Sequence, residues 1–280
     1  VKFGLLVDGN DRPLERLDTL KGSGFETVAL HFWQTVNGVD WPSLATGIFA
    51  RGWAVSSLSV YGNPLEDSEA GQQTVKSWEV LVDQAPRLGA PLVTGFAGRL
   101  TGRSVPDSIE PWKAFFAPLV DRAEDRGLKI GFENCRMGGT WKTGNWNIAY
   151  TPDAWELMER AFPGRWGLEW EPGHAVLGLA DPLVQIKDWL PRVLHLHGKD
   201  GKLDRTVLDR GAFGAKPFAK FCLPGEGDSD WGILLRTLEA AGYRGCLDLE
   251  PHSEPGEAPV AHSDLLKSLA YLKRVCSSEH

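Results

Sequence analysis

Apolar and polar positions along the chain follow two alternating periods. A segment with apolar residues at helical spacing ends on a glycine, and a short apolar run follows at once. The pattern appears at Leu14–Gly24 before Glu26–Leu30, at Trp41–Gly52 before Trp53–Leu58, and at Ser77–Gly89 before Pro91–Thr94. It continues at Ile109–Gly127 before Leu128–Glu133, Ala154–Gly164 before Trp166–Glu169, and Trp231–Gly245 before Cys246–Leu249. Glycine past a helix end supplies the left-handed cap, and the runs that follow are too short for helices and too apolar for loops. With Lys2–Val7 in front, Asp181–Trp189 before Val193–His197, and a last helix near Pro259–Val275, about eight strands and eight helices are predicted. Strands alternating with helices predict an α/β chain with a parallel sheet, and eight units predict a closed (β/α)8 TIM barrel, one domain over residues 1–280. A doubly wound open sheet competes, but no Gly-x-Gly-x-x-Gly follows the first strand and no composition break divides the chain.

The segments after strands are long and unusual in content, as in Asn134–Tyr150 and Gly198–Gly227, whereas those before strands are short. In a barrel this points to the C-terminal rim as the working face. Four strand ends carry acids or imidazoles there. In Lys129–Glu133, Ile130 and Phe132 share the face that packs on helices, so Glu133 points into the mouth. In Val193–His197 both His195 and His197 face inward, beside Lys199, and in Leu247–Glu250 so do Asp248 and Glu250. Glu169 and Glu171 share one face of a strand that breaks at Pro172–Gly173 and presents His174. Asp248 and Glu169 lie one layer deeper and are read as structural acids.

Carboxylates converging on a small lumen repel one another, and a divalent cation removes the conflict. Carboxylates with an imidazole suit Mn²⁺, Mg²⁺ or Co²⁺ better than a thiol-rich zinc site would. Bulk properties narrow the partners. The chain has 280 residues, a net charge of −7 and no dense run of Lys and Arg, which disfavours nucleic acid and anionic membranes. Cys135, Cys222, Cys246 and Cys276 are far apart and read as reduced thiols. With no signal-like or membrane-spanning apolar run, a cytoplasmic location is expected. Twelve tryptophans is a high count, and those in predicted loops suit the C–H faces of sugars.

Several segments together resemble the xylose isomerase-like barrel superfamily, which includes sugar phosphate isomerases and epimerases, ketose 3-epimerases, inosose dehydratases and endonuclease IV. They are Glu133 within Gly-Phe-Glu-Asn-Cys, the pair Glu171-x-x-His174, the run His195-x-His197-x-Lys199-Asp200, the loop from Pro224 to Trp231 and the strand ending in Glu250. Ser59–Leu65, with Asn63, and Phe96–Arg99 are similar to further stretches of its members. The resemblance implies that Glu133, Glu171, His197 and Glu250 bind one divalent ion, manganese first, with magnesium, cobalt or zinc as alternatives. It also implies that His174 reaches the substrate, and it suggests substrate contacts for Asn63 and Arg99. Three departures stand out. Glu171 replaces a usual Asp, Gly139 stands where ketose 3-epimerases carry an acid, and Leu203 where they carry an arginine. The loop from Met137 to Asn147 is similar to that of a subgroup of isomerases or epimerases and to metal-dependent subunits that cleave 3-keto-glycosides.

The expected activity is a metal-dependent isomerisation or epimerisation of a carbohydrate through an enediolate. Glu133 or Glu250 acts as base, and His174 and Lys199 protonate or polarise oxygen. Elimination from a keto sugar or a 3-keto-glycoside (C- or O-linked) is the alternative, and a non-catalytic carbohydrate-binding protein the rival from another class. His31, Trp33, Trp141, Trp146 and His195 are further candidates for substrate contacts, weighed against a self-packed loop for the two loop tryptophans and a core role for His195. The nuclease reading requires more histidine ligands and a basic groove, which seven histidines and an acidic balance disfavour. A homo-oligomer or a partner subunit is left open.

Overall fold

The computed structural model describes residues 1–212, 214–252 and 258–277; residues 213, 253–257 and 278–280 of the expected 1–280 span lie outside them. The first half comprises β1 (Lys2–Asp8), α1 (Pro13–Thr19), β2 (Thr27–Trp33), α2 (Trp41–Ala50), β3 (Ala54–Tyr61), α3 (Glu69–Leu88), β4 (Leu92–Gly95), α4 (Val105–Glu124) and β5 (Lys129–Glu133). The second half comprises α5 (Pro152–Ala161), β6 (Gly167–Trp170), α6 (Gly173–Leu177), α7 (Pro182–Ile186), β7 (Val193–Gly198), β8 (Asp200–Leu203), α8 (Arg205–Leu208), β9 (Ala219–Cys222), α9 (Trp231–Ala240), β10 (Cys246–Leu249) and α10 (His262–Ser277). Eight strands pair in parallel around a closed barrel, β1 to β7 in chain order and then β10, which returns to β1. This is the expected (β/α)8 architecture.

Three local expectations differ. The stretch Gly198–Gly227, read as loop, contains β8 and β9, which pair antiparallel with Asp200 opposite Cys222. The helix expected from Ser77 begins at Glu69, where the Ser68 side chain accepts from Gly71 N. The helix expected over Asp181–Trp189 is the short α7, followed by a 3-10 turn at Leu190–Arg192.

Alternation along the strands sorts side chains to two sides. Phe132 faces the helices, with its ring 4.7 Å from Phe116 and 5.6 Å from Trp112. Trp78, Trp112, Trp155, Trp170 and Trp231 are fully buried, so these rings fill the protein rather than present sugar platforms. Inside the barrel the packing is polar. Asp248 accepts from Ser56 Oγ (2.6 Å) and Thr27 Oγ1 (3.1 Å) and faces His195 Nε2 at 2.6 Å. Gly4 makes room for it: a Cβ there would lie 1.7 Å from Asp248 Oδ1. Among the described residues, no helix is long and apolar enough to cross a membrane.

Candidate metal centre

Glu133 closes β5, His197 sits near the end of β7, and Glu250 follows β10. Their side chains meet although the barrel strands that carry them are far apart in sequence. His197 Nδ1 lies 3.1 Å from Glu133 Oε1 and 3.2 Å from Glu250 Oε2, and one donor atom from each of the three residues falls within 4.8 Å of the others. Neighbouring ligands of an octahedral cation with bonds of about 2.1 Å are about 3 Å apart, so this spacing fits a divalent ion.

Glu171, the fourth expected ligand, stands outside that grouping. It follows β6, and its backbone is clamped by Asn134, whose Nδ2 donates to Glu171 O (2.9 Å) and whose Oδ1 accepts from Glu171 N (3.0 Å). Its carboxylate is turned to His174, Oε1 lying 3.2 Å from Nε2. Both Glu171 oxygens and Glu250 Oε2 are buried with no hydrogen-bond partner. A buried carboxylate without donors is costly unless a cation meets it, and the donor set therefore fits a hard divalent metal.

The electrostatics agree. Burial drives Glu171 well above the usual carboxylate range, Lys199 offsetting it in part and Glu250 and Glu133 adding to it. Burial likewise raises Glu133. Burial works on Glu250 in the same direction, but Lys199 and His197 overcome it and hold this carboxyl well below its ordinary value. Lys199 Nζ donates to Glu250 Oε1 at 2.6 Å. Burial opposes the Lys199 charge, yet Glu250, Glu171 and Glu133 raise its pKa and keep it an ammonium. His174 is pushed well below its usual value by burial and then by Lys199, so it is a neutral imidazole.

Glu133, His174, Lys199 and Glu250 form the floor of a cavity of about 440 Å³ whose walls include Trp33, Tyr61, Phe96, Met137 and Phe221. Among the expected substrate residues, Trp33 lines it; His31 stands beside Tyr61, ring centroids 6.0 Å apart, and burial lowers its pKa. Trp146 packs on Trp33 from behind, centroids 5.5 Å apart.

The structure places the other expected contacts elsewhere. Asn63 is consumed by backbone: its Nδ2 donates to Arg99 O and Asn145 O, and its Oδ1 accepts from Arg99 N and Leu65 N. Arg99 is fully buried and donates to Arg103 O and Trp141 O, tying two loops together. Trp141 is 38% exposed and does not line the cavity. His195 is buried beneath the floor between Asp248 and Glu169. Asn63, Arg99 and His195 are held by partners inside the protein, and the Trp141 ring lies away from the cavity.

Other residues that shape the site were not anticipated. Tyr61 and Phe221 line the cavity, and Asn147 Nδ2 donates to Glu133 O and Cys135 O, fixing the strand end that carries Glu133. The alternation of β3 could have placed Tyr61; nothing local marks Phe221, whose position depends on the β8–β9 pairing. Asp200 accepts from Ser229 Oγ (2.6 Å) and Trp231 Nε1 (2.9 Å), so it joins the hairpin to α9 rather than facing the cavity. Asp230 caps α9, its side chain accepting from Ile233 N.

The chain can be set beside proteins of known sequence and structure. A family model for the xylose isomerase-like TIM barrel matches residues 17–274. Over 163 residues the chain is 29% identical to an inosose dehydratase of Geobacillus thermodenitrificans, covering 56% of this chain and 51% of that protein. It is 28% identical over 166 residues to the rhizopine catabolism protein MocC of Rhizobium meliloti, covering 56% and 48%. The chain thus spans about half the length of the curated relatives it matches. Among solved structures, a 3-keto-D-glucoside 4-epimerase from E. coli superposes with a TM-score of 0.71 at 14% identity over 98% of this chain and 99% of that one. A Mycobacterium smegmatis xylose isomerase-like TIM barrel protein in complex with magnesium superposes with 0.68 at 17% identity, over 94% and 87%. The match of the family model over nearly the whole barrel settles membership: the chain belongs to the xylose isomerase-like TIM barrel family.

Proposed function

We propose that the chain is a divalent-metal-dependent carbohydrate isomerase or epimerase that removes a proton beside a carbonyl. The observation that carries this reading is the convergence of Glu133 and Glu250, at the cavity floor, on the buried His197, with Glu171, whose carboxylate oxygens have no hydrogen-bond partner, next to them. These four residues would hold the cation, manganese by the hardness of the donors, with magnesium, cobalt or zinc as alternatives. A bound divalent ion would polarise the carbonyl and acidify the adjacent C–H. Glu133, raised by burial, is the stronger base of the two carboxylates that flank the floor, and Glu250 is held ionised by Lys199. Lys199, the buried ammonium, faces developing negative charge on oxygen, while neutral His174 can pass a proton between neighbouring oxygens. The named activities of the dehydratase and epimerase relatives support a small carbohydrate substrate.

Elimination is the second reading. The Lys199 ammonium sits 2.6 Å from Glu250, so acid and base stand side by side, as expulsion of a β-oxygen requires, and the inosose dehydratase relatives favour the same outcome. Incubating the manganese-loaded protein with keto sugars in D₂O decides the matter. Deuterium in recovered or isomerised sugar supports isomerase chemistry; an unsaturated product absorbing in the ultraviolet supports elimination. Absence of bound metal and of any exchange would leave a non-catalytic carbohydrate-binding protein.

A further inference from the structure

The cavity has two unlike halves. Its floor carries Glu133, His174, Lys199 and Glu250, whereas Trp33, Phe96, Met137, Leu177 and Phe221 contribute apolar side chains to its walls. These five come from the end of β2, from the segments after β4, β5 and β6 and from β9, so the apolar groups are spread around much of the mouth. Trp33 remains 49% exposed and stands edge-on to Phe96, ring centroids 6.5 Å apart. Phe221 marks the boundary between the halves: its centroid is 4.5 Å from Lys199 Nζ and 4.8 Å from the His174 ring.

A second observation marks the same segments. Among the described residues four non-glycine positions have a left-handed backbone, Arg12, Gln34, Met137 and Leu179. Gln34 follows Trp33, Met137 is itself a wall residue with φ +47°, and Leu179 lies two residues past Leu177. Such conformations are disfavoured for L-residues and concentrate where a surface is held in place for a ligand. A site for a free sugar needs polar partners around the ring, and a site for a sugar phosphate needs several cations. Among the described residues that line the cavity, Arg136 is the exposed arginine or lysine, set against five apolar side chains. A volume of about 440 Å³ is that of a site for a molecule with a sizeable substituent.

We infer that the apolar mouth is a subsite for an aromatic or similarly bulky apolar group attached to the sugar, so that the substrate is an amphipathic glycoside whose sugar reaches the floor. This rests on the proposed function for the sugar end; the subsite itself stands on the walls alone.

The test compares methyl and phenyl β-glycosides of glucose, galactose and xylose, with glucose 6-phosphate, for binding to the manganese-loaded protein by calorimetry. Burying a phenyl ring corresponds to about a 10- to 100-fold gain in affinity, so the phenyl member of at least one pair binds at least about 10-fold tighter than its methyl partner. Trp33→Ala and Phe221→Ala each reduce that ratio to within about threefold while circular dichroism stays unchanged. The inference is overturned if phenyl and methyl glycosides bind alike across the panel, if glucose 6-phosphate binds tightest, if none binds, or if both variants keep the ratio. The same titrations after EDTA treatment separate the two readings. A phenyl preference in a protein that takes up no metal sinks the proposed function and leaves the subsite standing; metal uptake with no phenyl preference does the reverse.

Discussion

Glu169 lies beneath the cavity floor, where hydrogen bonds and imidazoles favour its charged form. Thr94 Oγ1 donates to its Oε1 at 2.7 Å and Tyr61 OH to its Oε2 at 3.0 Å. Burial alone would raise this carboxyl, but His197, His195 and Thr94 together bring it below its ordinary value. His197 Nε2 faces its Oε1 at 3.2 Å. A metal on Nδ1 requires the ring proton on Nε2, so Glu169 is placed to fix the tautomer and orientation of His197, as acids behind ligating imidazoles do. Glu169→Gln is expected to weaken manganese binding by about 10- to 100-fold, measured by equilibrium dialysis, and to change the His197 tautomer seen by ¹⁵N NMR of the magnesium-loaded protein. An unchanged affinity and tautomer would make Glu169 a core acid and nothing more. Glu169, His195 and His197 also bring donor atoms within 4.8 Å, so the same dialysis distinguishes one ion per chain, the expected result, from two. The acids and imidazoles of the floor were legible from strand parity, because side-chain direction in a strand is a local property. Asn63 and Arg99 are hard to assign from sequence, because a buried polar residue that ties loops together leaves the same trace as one that binds a ligand; their bonding partners at residues 141 and 145 are non-local.

Among the elements, α4 shows how much of the scaffold is written locally. Ser104 accepts from Asp107 N at its start, and Asp107 Oδ2 accepts in turn from Ser104 N, a reciprocal capping box. Ser104→Ala is expected to lower stability by about 1 kcal/mol in urea unfolding. The Asp107 carboxyl is held below its usual value of 3.8, first by the Ser104 hydroxyl and then by the Ser104 backbone. A depressed acid adds stability above its unfolded pKa and loses it as pH falls through the folded one. The stability gap between wild type and Asp107→Asn is therefore expected to be full above about pH 4 and to close as the pH drops further; a gap that stays constant to pH 2 would refute the capping role. Where local signals fail, the cause is visible. The first turns of α3 bury Gly71, Thr74 and Ser77, small or polar residues that give no apolar period. The strands β8 and β9 have four residues each and are joined by a long connection, so neither length nor a tight-turn signal betrays the pairing.

At the scale of the whole molecule, the barrel encloses an unusual amount of ionisable surface, with Glu133, Glu169, Glu171, His195, His197 and Asp248 all buried along one axis. Two carboxyls in this column, Glu133 and Glu171, are pushed upward by burial, with the neighbouring acids adding to the effect. The closed sheet prevents relief by opening, because moving one strand end away from the axis breaks ladders on both of its sides. A divalent ion would supply the missing charge, and its binding to the folded chain alone would make stability depend on its concentration. Manganese at about 100-fold over its Kd is expected to add about 2.7 kcal/mol. For a chain of this size that is a rise in Tm of about 5 °C, read by scanning calorimetry against an EDTA-treated sample. Glu250→Ala removes a proposed ligand and strands the Lys199 ammonium, so it should abolish most of that rise, whereas Ser104→Ala lowers both curves and leaves the difference between them intact. A melting temperature indifferent to manganese and EDTA in the wild type would mean that the column is neutralised by protons, as a polar core is, and not organised around a cation.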